Sequence, residues 1–162
     1  MAQVIIALGS NLNDPHQQLK TASAFLSDLS TSILKKSSLY RSEPIGPSEN
    51  DFLNSVAVIE TDLEPSELFA KLKEQEKNQG RPSRYPKWTA RTLDLDIIAW
   101  DRLVIETDTL IIPHQEYKRR LFVLLPLKEV LPDWKDPISA QHVDKLIEQA
   151  PNIEIDITKL NW

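Results

Sequence analysis

At 162 residues, 41% of them hydrophobic, the chain has the size of one domain and can bury roughly 70% of the surface it exposes when unfolded. A net charge of −5 argues against general affinity for nucleic acid or anionic membrane, and the lack of cysteine excludes disulfides, thiolate nucleophiles and thiolate zinc sites. No apolar run approaches the roughly 18 residues of a membrane span, and MAQVIIALGS lacks both the basic start and the cleavage pattern of a signal peptide. One domain over 1–162, soluble and cytoplasmic, is the expectation.

The β-branched, apolar segment Gln3 to Leu8 predicts a first strand, and Asp14 followed by Pro15 predicts the start of a helix over about 15–29. Ser37 to Ser42 reads as a strand. EPIGPSEN is turn chemistry, and FLNSVAVIET returns as a pairing strand with Phe52, Val56 and Val58 on one face. Pro65 and Glu67 open a second helix, Leu63 and Leu68 are spaced for a hydrophobic staple, and Gly80 supplies the stop. After a loop over 81–90 comes a strand over 92–99. The order βαββαβ defines an α+β sandwich, a ferredoxin-like antiparallel sheet with both helices on one face. Residues 101–162 add C-terminal elements: a further strand or two, helices near 116–130 and 142–149, and a tail.

TLDLDIIAW, residues 92–100, places two acids inside an otherwise apolar run. On a strand, Leu93, Leu95 and Ile97 face the helices while Asp94 and Asp96 share the opposite face. Paired carboxylates repel, and burial raises at least one pKa unless positive charge sits between them. Magnesium suits such a pair because it takes one or two carboxylates and completes its shell with water and phosphate. A solvent-facing strand with its acids bonded to Arg or Lys is the other reading, and the pair alone leaves both open. RPSRYPKWTAR, residues 81–91, carries Arg81, Arg84, Lys87 and Arg91 without an acid. Cations beside a metal pair suit a phosphate chain, although such a loop can also be merely solvated. Lys118, Arg119 and Arg120 form a second basic cluster.

The chain has only three glycines and writes neither a Walker A loop nor a G-x-G-x-x-G turn, which excludes an ordinary P-loop kinase. Phe52, Trp88 and Phe122 fall at element ends or in loops, where two rings could sandwich a flat heterocycle, with core packing the default for each. Asn54, on the face of Phe52, could offer a paired donor and acceptor to a ring edge, or simply bond the local backbone. His114 could donate to phosphate or be structural. Glu76 lies where the second helix could rim a cleft.

The segments ALGSNL (7–12), LYRSEPIGP (39–47), FLNSV (52–56), ARTLDLDI (90–97) and PHQEYKRRLFVLLPL (113–127) together resemble the 6-hydroxymethyl-7,8-dihydropterin pyrophosphokinase family of folate synthesis, over Val4 to about Trp134. The resemblance implies a monomer that transfers the β,γ-diphosphate of ATP to the hydroxymethyl group of a reduced pterin and releases AMP. It implies two Mg²⁺ ions held by Asp94 and Asp96, with Arg81 and Arg91 as further catalytic residues. Phe52 and Phe122 would stack on the pterin, Asn54 and the Ser42, Glu43 and Ile45 segment would read its edges, and Trp88 would close over it. Glu76, Arg84, Arg91, Ile97, Thr109, Ile111, His114 and Arg120 would form the ATP side. The chain departs from the family pattern at Ser83, Lys87, Thr89 and Ala90, and on the ATP side at Thr109, Ile111 and Gln115. These departures leave a second reading, a non-catalytic or retuned paralogue that binds a pterin or nucleotide. A third reading, an RNA-binding sheet, is opposed by Asp94 and Asp96.

Overall fold

A computed structural model describes residues 1–44, 50–80 and 93–162. In chain order the elements are β1 (Ala2–Ser10), α1 (Pro15–Leu29), β2 (Lys35–Lys36), β3 (Tyr40–Ser42), β4 (Phe52–Thr61), α2 (Pro65–Asn78), β5 (Asp94–Trp100), β6 (Ile105–Glu106) and β7 (Ile111–Ile112). A 3₁₀ turn (Tyr117–Arg119), α3 (Leu121–Val130), α4 (Val143–Gln149) and β8 (Ile155–Ile157) follow. The main sheet is antiparallel, in the order β5-β1-β4-β3-β8, with β2 also on β4. Strands β6 and β7 form a separate small pair. Among the described residues no helix is long and apolar enough to cross a membrane.

Helix α1 starts where the sequence predicts. The Asp14 carboxylate accepts from Gln17 N at 3.4 Å, and Pro15, which has no N–H to leave unsatisfied, takes the first helical position. Leu19, Ala22 and Leu26 recur at helical spacing and are fully buried. In α2 the Glu67 carboxylate accepts from Glu64 N at 3.1 Å, and Leu63 and Leu68 join the same core. Gly80 follows at φ 106, a left-handed conformation that costs glycine little.

The two helices of the βαββαβ unit, α1 and α2, share one face as the sequence predicts, and the added helices α3 and α4 cover the other. Val4, Ile6, Leu8, Leu95 and Ile97 pack under α1 and α2, while Ile5, Ala7, Val56, Val58 and Ile98 pack under α3 and α4. Strand β4 is accordingly buried on both sides, which its period-2 pattern alone understates. The strand expected over Ser37 to Ser42 is broken between β2 and β3. Ser37 Oγ accepts Val56 N at 3.0 Å and meets Ser55 Oγ at 2.7 Å, so a side chain takes over a ladder position. Ser38 N turns outward to the Glu129 carboxylate at 2.8 Å.

Candidate active site

The register of the three central strands builds the floor of the site. Gly9 pairs with Asn54 on one side and Asp94 on the other, and Ala7 pairs with Val56 and Asp96. Directly paired residues project to the same face, so Asn54 and the two acids share one face of the sheet, with the small residues Gly9 and Ala7 between them. A Cβ at position 9 would lie 3.5 Å from Asn54 Oδ1 and 3.9 Å from the Phe52 ring, occupying space that glycine leaves open. Asp94 and Asp96 are both partly buried, with Leu95 fully buried on the opposite face.

Strand β5 is the edge of the sheet, so its outward backbone groups need partners from elsewhere. Between the two acids, α2 supplies them. Glu76 Oε2 accepts Leu95 N at 2.7 Å, and Lys73 Nζ donates to Leu95 O at 3.2 Å while bonding Glu76 Oε2, also at 3.2 Å. Glu76 is buried and lies behind the acid strand, which it holds through the backbone. Lys73 had no assignment from sequence. Its only local signal is its place one helical turn before Glu76.

Among the described residues, three nitrogen groups surround Asp96: Lys73 Nζ at 3.9 Å from Oδ1, and His114 Nε2 and Arg120 Nη1 each at 4.0 Å from Oδ2. Even so, burial and then the neighbouring charge of Asp94 push its pKa up to about 7, with Lys73 and Arg120 opposing. His114 goes the other way. Burial first, and Arg120 next, lower its pKa to about 4, so the imidazole is neutral near pH 7. Its Nδ1 accepts Glu116 N at 3.0 Å, which leaves the proton on Nε2, the nitrogen turned toward Asp96.

A cavity of about 350 Å³ opens beside these groups, within the size range of small-ligand sites. Its walls include Asp96, Ile97, Thr109, Ile111, His114 and Arg120, all singled out from sequence, together with Phe69, Lys73, Leu110, Gln115 and Glu116. On the other side of the acids, Asn54 Nδ2 donates to Ser42 Oγ at 2.8 Å and to Tyr40 O at 3.4 Å. Both amide protons are thereby used, and Oδ1 is left to accept. Phe52 and Phe122 are each partly buried, and the Arg120 guanidinium lies 5.8 Å from the Phe122 ring. Glu43 is exposed, and its carboxylate accepts Glu154 N at 3.0 Å. Ile45, Arg81, Arg84, Trp88 and Arg91 lie outside the described residues. A larger hollow of about 600 Å³ lies by Gln3, Asp101 and Trp134, at the opposite end of β1, and its one buried acid, Asp136, is already bonded by Tyr117 and Ser139.

The fold is shared with solved structures of HPPK-DHPS, among them that of Plasmodium falciparum. One structure of the latter matches with a TM-score of 0.71 at 15% identity, over 91% of this chain and 41% of that one. Another, of HPPK-DHPS in complex with substrates, gives 0.68 at 13% identity, over 91% and 43%. The chain thus spans about two fifths of those structures. Residues 5–132 match the family described as 7,8-dihydro-6-hydroxymethylpterin-pyrophosphokinase, and the chain belongs to that family. It is 42% identical to the 2-amino-4-hydroxy-6-hydroxymethyldihydropteridine pyrophosphokinase of Haemophilus influenzae over 92% of this chain and 93% of that protein. The Bacillus subtilis protein of the same name is also 42% identical, over 77% and 75%. The folate synthesis bifunctional protein of Arabidopsis thaliana is 38% identical over 80% of this chain and 27% of its own length.

Proposed function

We propose that this chain transfers diphosphate from ATP to the hydroxymethyl group of 6-hydroxymethyl-7,8-dihydropterin, giving the pterin diphosphate and AMP. The observation that carries this, beside membership of the pyrophosphokinase family, is the acid pair of β5. Asp96 lines the wall of a cavity of about 350 Å³, with Lys73, His114 and Arg120 within 4.0 Å of its carboxylate. In the reaction the hydroxymethyl oxygen attacks the β-phosphorus and gives up its proton to water, the bond from that phosphorus to the AMP oxygen breaks, and AMP leaves with the bonding electron pair. Such a transfer asks for alignment and charge stabilisation rather than a strong base.

Asp94 and Asp96 fit Mg²⁺. They are hard oxygen donors, and burial together with the neighbouring Asp94 charge raises the pKa of Asp96, a cost that a bound cation would relieve. When bound there, Mg²⁺ supplies electrostatic stabilisation of the phosphate oxygens.

The chain's own groups do the rest. Arg120 and Lys73 place positive charge against the phosphates, and neutral His114 offers its Nε2 proton to a phosphate oxygen. Ile97, Thr109 and Ile111 wall the nucleotide side, and Glu76 fixes β5 from behind. Asn54 Oδ1 accepts an N–H of the pterin edge, the segment from Ser42 to Ile45 completes that edge, and Phe52 and Phe122 cover the ring faces. Arg81, Arg84, Trp88 and Arg91 enter this reading from the family resemblance. Residues 1–162 then act as one domain and one cytoplasmic monomer, which light scattering tests.

The deciding experiment incubates purified protein with ATP, Mg²⁺ and the hydroxymethyl-dihydropterin and measures AMP by a coupled assay. AMP formed in proportion to pterin is the expected result. Pterin binding by calorimetry with no AMP under saturating ATP would overturn the enzyme and favour the retuned paralogue.

A further inference from the structure

The last nine residues lie away from the acid pair, yet they hold the strand that sets Asn54. Strand β3 has only three residues, and a strand this short gains little from pairing on one side alone. Its inner edge is on β4, where Tyr40 faces Asn54 and Ser42 faces Phe52. Its outer edge is taken by β8, with Tyr40 opposite Ile157 and Ser42 opposite Ile155.

Bonds at both ends extend this pairing. Glu43 N donates to Glu154 O at 3.1 Å, and Glu154 N returns to the Glu43 carboxylate at 3.0 Å. Thr158 gives both its N–H and its hydroxyl to Leu39 O, each at 2.9 Å. Trp162 Nε1 donates to Ser37 O at 2.9 Å, its ring packs against the α1/α2 core, and Lys36 Nζ lies 4.4 Å from the ring centroid. His16 at the start of α1 meets Asn161 O at 2.5 Å. The stretch from Lys36 to Glu43 is therefore held along its length by a strap running from Glu154 to Trp162.

We propose that this strap is a positioning element for pterin recognition, an inference that rests on the function proposed above. The two bonds from its amide nitrogen set which way Asn54 Oδ1 faces, and their acceptors, Ser42 Oγ and Tyr40 O, belong to β3. Clamping β3 against β4 fixes those acceptors before a ligand arrives. Without the clamp the amide is free to turn, and ligand binding must order it. The nucleotide cavity takes no wall from β3 or from the strap, so its affinity is independent of both.

The test uses the full chain with Trp162→Ala, and with Thr158→Val, which removes only the hydroxyl bond. Hydrogen exchange at Tyr40 to Glu43 is measured without ligand, and the dissociation constants for pterin and for ATP are measured separately. Expected for Trp162→Ala are faster exchange in β3, a pterin constant weakened about tenfold, and an ATP constant changed by less than about twofold. Thr158→Val should show the same split at about threefold, and Trp162→Phe should recover part of the loss. Should Trp162→Ala fail to fold, Thr158→Val reads the same three quantities. Unchanged pterin affinity, or equal weakening for pterin and ATP, overturns the strap's role and leaves the proposed reaction standing. No pterin binding by the unaltered protein overturns both.

Discussion

Asp96 and Asp136 show how one residue type serves two ends. Asp136 is the more deeply buried, at 2% exposure, whereas 24% of the Asp96 side chain remains open. By burial alone Asp136 should be the harder to ionise. The opposite holds. Burial does push Asp136 up, but the Tyr117 hydroxyl and the donors of Ser139 outweigh it and bring its pKa below the ordinary value. Ile138 N at 3.2 Å and Lys118 Nζ at 3.4 Å complete its set. Asp96 has cations at 3.9 and 4.0 Å, beyond hydrogen-bond distance, and a second acid two residues away. Burial raises the pKa of both acids, and what separates them is the set of short donors at Asp136, which outweighs burial there and ties the α3/α4 layer together.

The comparison breaks most visibly under substitution. Asp96→Ala, or Asp94→Ala, should lower Mg²⁺-dependent AMP formation by about 10³-fold, because charge stabilisation at the phosphates is the main demand of the reaction. The midpoint of thermal unfolding near neutral pH should not fall by more than about 2 °C, and rises where the removed charge was a cost to the fold, as calorimetry will show. Near-normal turnover in both variants would remove the acid pair from the mechanism. Asp136→Ala should do the reverse, costing about 3 kcal/mol in urea unfolding by stranding Tyr117 and Ser139 N, with turnover per folded molecule nearly unchanged.

Proton linkage sharpens the same contrast, since the two acids carry opposite signs. The folded-state pKa of Asp96 is raised from 3.8 to about 7, so the fold resists its ionisation. Its contribution is fully present below the unfolded value and declines as pH rises through that window. Asp136 has a lowered folded-state pKa, so its contribution is present above the unfolded value and is lost as pH falls through the folded one. Ligand-free Asp96→Asn should therefore match the parent below about pH 4 and exceed it by about 1–2 kcal/mol above about pH 7, with Asp94 sharing the effect. Asp136→Asn should instead flatten the acid limb. Urea unfolding at several pH values reads both, and parallel curves for parent and Asp96→Asn would refute the assignment to Asp96.

The acid pair was legible in the sequence because its information is local: period-2 alternation and two carboxylates need nothing from elsewhere in the chain. The same is true of the α1 start at Asp14 and Pro15. The second helical layer was harder to read, because Val56 and Val58 look like one side of a half-buried strand whether or not α3 and α4 cover them. The break at Ser37 depends on a hydroxyl meeting Ser55 and Val56, eighteen and nineteen residues on. Gly9 and Ala7 could have been noticed as small residues in a central strand, where branched side chains are the rule.

Lys73 is the case where sequence had least to say, and it yields the smallest expected effect. Its ammonium group touches Leu95 O, twenty-two residues away, and approaches Asp96 only because α2 packs across the edge of β5. Lys73→Met keeps the stem near Phe69, whose ring centroid the ammonium now approaches to 5.4 Å, and removes the charge from the cavity wall. Lys73 is 34% exposed, so water screens that charge and the change should raise the KM for ATP only about fivefold, with the KM for pterin unmoved. Added salt should narrow the gap between parent and variant, since it screens the lysine but cannot replace it. A fall in kcat with ATP affinity intact would instead mean that Lys73 acts by holding β5 at Leu95, and would shift its role from the phosphates to the strand that carries the acids.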